Sequence, residues 1–153
     1  MLQVGDKVPE FEGLDQNGNN VSSSDYKGRK YVVFFYPKAS TPGCTAEACD
    51  LRDNEMALQA QGYSIIGVSA DSVKRQKNFA DKNNLTYPLL ADEDKKIIEA
   101  FGVWGPKKFM GREFDGILRT TFVIDENGII ENVIEKVKTK AHAEQILAEV
   151  KNS

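Results

Sequence analysis

Two cysteines and one histidine in a chain of 153 residues leave little from which to build a metal centre or a disulfide framework. A structural zinc site takes about four ligands, and His142 stands far along the chain from Cys44 and Cys49. Disulfide-held scaffolds are denser in cysteine than this. Charge of one sign is equally scarce. Lys and Arg number 20 against 23 Asp and Glu, for a net charge of −3 and a pI near 5.3. The basic residues are scattered among acidic ones, which argues against a nucleic-acid partner. No run approaches the ~18 apolar residues of a membrane span. Met1–Asp6 has no basic stretch followed by an apolar one, so it does not read as a secretory signal. No repeat, low-complexity tract or linker divides the chain. These absences predict one cytoplasmic domain over residues 1–153, with no cofactor, metal, nucleic acid or membrane partner. What is present is an ordinary globular composition, 41% apolar and 28% charged, with enough apolar residues for a core.

The strongest pattern is the run Lys30–Tyr36 (KYVVFFY), apolar, aromatic and β-branched throughout, which reads as a buried central strand ended by Pro37. A helix is predicted from about Gly43 to Gln61, with Thr41 and Pro42 leading into it and Gly62 stopping it. Tyr63–Ser69 reads as a second buried strand. Asp71 and Ser72 offer caps for a helix with Val73, Phe79 and Ala80 inward. Tyr87–Ala91 reads as a short strand. Asp92 then caps a helix carrying Ile97, Ile98 and Phe101, with Gly102 as its stop. Residues 103–116, with Gly105, Pro106, Gly111 and Gly116, read as irregular. Ile117–Asp125 and Ile129–Val137 flank Glu126-Asn127-Gly128 as a hairpin. Thr139 caps a last helix with Ala143, Ile146, Leu147 and Val150 inside. A further hairpin is expected around Phe11–Leu14 and Asn20-Val21. A strand–helix–strand start followed by a hairpin end gives an α/β fold with a mixed central sheet and helices on both faces. This is the thioredoxin-like arrangement, with an N-terminal hairpin added.

The chemistry concentrates in Pro37-Lys38-Ala39-Ser40-Thr41-Pro42-Gly43-Cys44-Thr45-Ala46-Glu47-Ala48-Cys49. Cys44 falls in the first turn of a helix that follows a buried strand. Free backbone N–H groups and the positive end of the helix dipole stabilise an anion there, and the thiolate is the nucleophilic form of cysteine. In open α/β sheets this end of the strands is also where ligands bind. Cys49 taken alone reads equally as an inert core cysteine. Phe101 and Trp104 read as packing groups rather than a rim to the site, and His142, among Lys140 and Glu144, as solvated surface.

The pattern Pro37-x-x-x-Thr41-x-x-Cys44 resembles the active-site motif of the peroxiredoxins. The longer run Thr41–Cys49 is similar to the bacterioferritin comigratory protein, or peroxiredoxin Q, class, and the resemblance extends through Phe101–Gly105 and Gly116–Phe122. It implies a thiol peroxidase with Cys44 as the peroxidatic cysteine and Cys49 as the resolving one. They would form an intramolecular disulfide recycled by thioredoxin, or occasionally glutaredoxin, in the atypical two-cysteine manner. It further implies that Thr41 places its hydroxyl against thiolate and peroxide, that Pro37 shields the site, and that Arg119 reaches it from a neighbouring strand. Glu47, one helical turn after Cys44, would orient Arg119. Hydrogen peroxide and organic hydroperoxides are the implied substrates, antioxidant defence the implied role, and a monomer the implied state.

Two other functions fit parts of the pattern. Thioredoxin-like disulfide oxidoreductases use Cys-x-x-Cys, whereas Cys44 and Cys49 are separated by four residues, and no proline occurs in 116–121. A non-enzymatic binding or chaperone module would be indifferent to Cys44→Ser.

Overall fold

The computed structural model describes residues 1–151; the last two positions of the expected domain, Asn152 and Ser153, lie outside the described residues. In chain order the elements are β1 (Glu12–Leu14), β2 (Asn20–Ser22), β3 (Lys30–Phe35), α1 (Pro42–Asp53), α2 (Glu55–Ala60), β4 (Tyr63–Ser69), α3 (Val73–Asn83) and β5 (Leu89–Ala91). They continue with α4 (Lys96–Phe101), β6 (Trp104–Phe109), β7 (Arg112–Ile117), β8 (Thr120–Ile124), β9 (Ile130–Ile134) and α5 (His142–Lys151). Seven strands form one sheet in the order β2-β1-β5-β4-β3-β8-β9. β3 pairs parallel with β4 and antiparallel with β8, so the sheet is mixed.

The apolar run of β3 becomes central because both of its faces are covered. Side chains alternate across a strand. Val32 and Phe34 point into a core shared with Ala48, Leu51, Leu58, Phe79, Ala143 and Ile146 from α1, α2, α3 and α5. Tyr31, Val33 and Phe35 point the other way, against Phe11, Ile97, Ile98, Phe101 and Phe122. Helices therefore cover both faces, as the sequence predicts. Each buried Phe or Ile contributes about 1.5–3 kcal/mol of transfer free energy, which fixes the register of β3 to its neighbours.

The structure corrects several boundaries. The helix expected over Gly43–Gln61 is two helices. Asn54 turns its amide back to the Asp50 carbonyl (2.8 Å) and takes φ −115°, ψ 14°, so local side-chain bonding competes with the helix. Residues 103–116 are not irregular: β6 and β7 form a two-stranded hairpin outside the main sheet. Its turn residues Met110 and Gly111 both have positive φ (51° and 79°), as a two-residue type I′ turn requires. The strand expected over Tyr87–Ala91 begins only at Leu89, and β8 begins at Thr120 because Ile117 belongs to β7. Ser72 does cap α3, its hydroxyl accepting the Arg75 N–H at 3.2 Å, and Gln76 joins Phe79 and Ala80 on the buried face. Asp92 does serve the start of α4, accepting the N–H groups of Ile97 (3.2 Å) and Ile98 (2.8 Å). The last helix starts at His142, three residues beyond Thr139. Its orphan N–H at Ala143 is taken by the Asp50 carboxylate of α1 at 2.8 Å, a cap supplied by another helix.

Candidate active site

The chain leaves β3 at its C-terminal end and turns through Pro37–Thr41 into α1. Two features hold this turn. The Ala39 N–H donates to the Asp71 carboxylate (2.7 Å), which the Ser69 hydroxyl at the end of β4 also contacts at 2.7 Å. Ser40 adopts φ 66°, a left-handed conformation uncommon outside glycine. Thr41 is the N-cap of α1 in extended conformation, and Pro42 occupies the first helical position, where a missing N–H costs nothing. Among the described residues no side chain caps this helix end, which leaves the Gly43 and Cys44 N–H groups directed at the space in front of the cysteine.

Cys44 is 1% exposed, yet it has a cationic partner. Arg119, in the link between β7 and β8, places Nη2 3.3 Å from Cys44 Sγ and donates from Nη1 to Glu47 Oε1 at 2.7 Å. One planar guanidinium thus bridges the sulfur and the carboxylate one helical turn away. The approach depends on Gly43, since a Cβ there would meet Arg119 Nη2 at 3.3 Å. Burial of Arg119 opposes its charge, but Cys44 and Glu47 outweigh that and raise its affinity for the proton. Glu47 is fully buried, and burial lifts its carboxyl to about 7 against the downward pull of Arg119.

The other expected residues are placed as follows. Pro37 is half-buried at the start of the loop. The Thr41 hydroxyl donates to the Lys38 carbonyl at 2.8 Å, so its hydrogen is directed there rather than at the Cys44 sulfur, and the oxygen is left as an acceptor. Cys49, also in α1, is half-buried with Sγ 3.7 Å from Asn83 Oδ1 near the end of α3; both thiols are free. Phe101 is fully buried as packing, against Phe11, Phe35 and Phe122, whereas Trp104 is partly exposed with the Lys95 ammonium 4.7 Å from its ring centroid.

The reading of His142 as solvated surface is wrong. It is 0% exposed, with Nε2 2.7 Å from Thr121 Oγ1 and 3.4 Å from Glu47 Oε2, and burial lowers it to about 4. The polar neighbours Lys140 and Glu144 misled the assignment, because α1 crosses the helix start and seals that side. The spacing 142, 143, 146, 147, 150 does put His142 on the apolar face of α5, and that was the available signal. Lys107 was also missed. Its ammonium donates to the Ile117 carbonyl (2.8 Å), and burial, followed by repulsion from Arg119, lowers its proton affinity, while Cys44 raises it. No group of three His, Cys, Asp or Glu side chains converges as a metal site among the described residues, and no helix among them is long and apolar enough to cross a membrane.

A buried thiol at an uncapped helix N-terminus, bridged by arginine to a carboxylate, can stabilise a thiolate and any oxyanion that forms beside it. The family profile described as the AhpC/TSA family matches residues 4–133. The chain belongs to the peroxiredoxins. Peroxiredoxin Bcp of Escherichia coli (strain K12) is 46% identical over 146 residues, covering 95% of this chain and 94% of that protein. Among solved structures, a cysteine variant of peroxiredoxin Q from Xylella fastidiosa superposes with a TM-score of 0.92 at 29% identity, covering 99% of this chain and 97% of the other. The Xanthomonas campestris bacterioferritin comigratory protein superposes with a TM-score of 0.86 at 34% identity, covering 93% and 90%. This peroxiredoxin is therefore of the bacterioferritin comigratory protein and peroxiredoxin Q type, a class of thiol peroxidases.

Proposed function

We propose that the enzyme reduces hydrogen peroxide and organic hydroperoxides with Cys44 and resolves the product with Cys49, as an atypical two-cysteine peroxidase recycled by thioredoxin. The observation that carries this reading is the Arg119 bridge between Cys44 Sγ and Glu47 Oε1 at the start of α1. The Cys44 thiolate attacks one peroxide oxygen, an S–O bond forms as the O–O bond breaks, and the other oxygen leaves as an alkoxide that takes up a proton. Charge develops on that leaving oxygen. The Arg119 guanidinium and the Cys44 N–H are donors already in place for it, which is where preorganised dipoles lower a barrier most. Thr41, its hydrogen held by Lys38, accepts a hydrogen bond from the peroxide hydroxyl. Pro37 limits access to the sulfur, and Glu47 is the residue that holds Arg119. Alkyl peroxide reduction has been described for the Xanthomonas campestris relative, which supports including organic hydroperoxides among the substrates.

Resolution requires α1 to unwind. Five residues along a helix give a rise of about 7.5 Å and a turn of about 140°, hence roughly 8.6 Å between the Cα atoms of Cys44 and Cys49. A disulfide does not bridge Cα atoms beyond about 7 Å. The uncapped start of α1 and the strained Ser40 before it make the first turns the part that yields. Cys49 then attacks the sulfenic sulfur, water leaves, and thioredoxin reduces the disulfide by thiol exchange. While the helix stays wound, a second peroxide can carry Cys44 to sulfinic acid. A cytoplasmic monomer active in antioxidant defence completes the proposal. Amide hydrogen exchange over residues 41–52 tests the unwinding: protection should fall on oxidation. Equal protection in both states, with a Cys44–Cys49 disulfide established by mass spectrometry, would refute it. Insulin reduction without peroxide consumption would instead favour a disulfide oxidoreductase.

A further inference from the structure

Behind the Arg119 bridge, hydrogen-bond directions account for one more proton than the ordinary protonation states supply. Gln145 fixes the first direction. Its Nε2 donates to the Lys136 carbonyl (2.8 Å) and its Oε1 accepts the Lys138 N–H (3.0 Å), so the oxygen is the atom 3.0 Å from His142 Nδ1. Nδ1 therefore carries a hydrogen. In a neutral imidazole Nε2 is then a bare acceptor, with Thr121 Oγ1 2.7 Å from it. Glu47 Oε2 lies 3.4 Å from that same nitrogen, fully buried and with no hydrogen-bond partner among the described residues. An ionised carboxylate oxygen facing a bare ring nitrogen in a fully buried position sets two lone pairs against each other, a costly arrangement. One proton between them removes the conflict.

We propose that Glu47 and His142 carry one extra proton as a pair, on Oε2 or on Nε2, and that this proton is kept while Cys44 is a thiolate and released when Cys44 is oxidised. The inference rests on the reading of Cys44 as the peroxidatic thiolate. Charge balance supplies the coupling. With the proton in place the pair is neutral overall, and Arg119 matches the thiolate one for one. Without it, Glu47 and Cys44 are two anions around one guanidinium in a buried site, a net charge that the low dielectric penalises. Oxidation reverses the preference. Cys44 thiolate, peroxide and the protonated pair become Cys44 sulfenic acid, alcohol or water, and the deprotonated pair. Two electrons pass from sulfur to the peroxide oxygens and one proton leaves with the alkoxide. Glu47 then neutralises Arg119 alone, so the site is uncharged before and after the step.

The surroundings fit this assignment. Around the pair lie Asp50 from α1, Tyr87 from the segment before β5, Arg119 from the link before β8, Thr121 from β8 and Gln145 from α5, and Cys44 reaches Glu47 through the Arg119 bridge. Tyr87 is kept neutral by burial, and Asp50 is engaged with the Ala143 N–H. Asp50 and Arg119 are thus the charges that bear on the pair directly, Asp50 favouring a proton on His142 and Arg119 opposing it, and Cys44 acts through its contact with Arg119. Burial raises Glu47 and lowers His142, which puts the proton mainly on the carboxyl. His142 acts as a positioning residue through Glu47 and touches no reacting atom.

His142 is the chain's only histidine, so one ring reports the state of the pair without ambiguity. The test is the Nε2 chemical shift in 15N-labelled, reduced full-length protein from pH 5 to 9, for the wild type, Cys44→Ser and Glu47→Gln, with peroxide consumption measured on the same wild-type sample. The wild type should show a titration at Nε2 while Nδ1 stays protonated. Removing the thiolate charge in Cys44→Ser should lower the midpoint by about 1–2 pH units, the order expected for loss of a unit charge beyond one bridging guanidinium at intermediate dielectric. Glu47→Gln should leave Nε2 flat over this range. An Nε2 shift that is flat in the wild type, or a midpoint unmoved by Cys44→Ser while the wild type consumes peroxide, overturns the shared proton alone. A wild type that consumes no peroxide removes the underlying peroxidase reading instead.

Discussion

Removing the Arg119 guanidinium should slow oxidation of Cys44 by roughly 10²–10³-fold, the usual effect of deleting one preorganised donor, and should leave the fold intact. The rate effect follows from the 3.3 Å contact between Nη2 and Cys44 Sγ in a site where the sulfur is sealed from water. The structural effect follows from the other half of the bridge, Nη1 to Glu47 Oε1 at 2.7 Å. Breaking a buried pair costs about 3–5 kcal/mol when the remaining charge has to stay. Glu47 does not have to keep its charge: burial already lifts its carboxyl to about 7, and without Arg119 it rises further and takes up a proton. The destabilisation of Arg119→Ala should therefore be small in mildly acidic buffer and grow above neutrality. Arg119→Lys separates charge from geometry, because one ammonium cannot hold Sγ and Oε1 in a fixed fork as a guanidinium does. It should recover only part of the lost rate. The assay is the second-order rate constant of the first oxidation, followed by stopped-flow fluorescence of Trp104 or by competition with a reference peroxidase. A folded Arg119→Ala with the wild-type rate constant would refute the reasoning.

Three further outcomes are expected. Cys49→Ser should consume about one equivalent of peroxide and then stall with thioredoxin as reductant, accumulating oxidised Cys44; full turnover in a coupled thioredoxin assay would show that Cys49 is dispensable. Glu47→Gln should gain stability relative to the wild type as pH rises from about 4.5 to about 7. The raised folded value means the native state binds more protons than the unfolded one in that window, so the wild type loses up to about 3 kcal/mol across it and the variant does not. Urea denaturation at several pH values measures this difference, and a constant gap between the two proteins would contradict it. Phe101→Ala should cost about 3–5 kcal/mol, since the ring is fully buried with centroids 5.1 Å from both Phe35 and Phe122; a loss under about 1 kcal/mol in the same denaturation experiment would contradict its place in the core.

What could be read from the sequence was what local patterning determines. β4 was legible to the residue, and β3 to within one, because their continuous apolar runs are buried on both faces and punctuated by Pro37 and Gly62. Cys44, Glu47 and Arg119 were legible as a group through spacing and family resemblance, and the structure brings their side chains together. The β6–β7 hairpin was not, since it pairs outside the main sheet and exposes much of its surface. Its turn, moreover, uses Met110 where Asn or Gly is the common signal. The break at Asn54 was hidden because one side-chain bond, to the Asp50 carbonyl, decides it. His142 was hidden because burial at a helix start is conferred by the neighbouring α1, a tertiary fact that the composition of the helix itself does not carry.

The most direct measurement of the central claim is a single turnover without reductant. Reduced wild type, Cys44→Ser and Cys49→Ser are each mixed with one equivalent of hydrogen peroxide, and residual peroxide, free thiols and disulfide-linked peptides are quantified. Wild type should consume the peroxide and yield an intramolecular Cys44–Cys49 disulfide, Cys49→Ser should consume it and retain oxidised Cys44, and Cys44→Ser should leave it untouched. Peroxide consumption by Cys44→Ser at the wild-type rate would contradict the account.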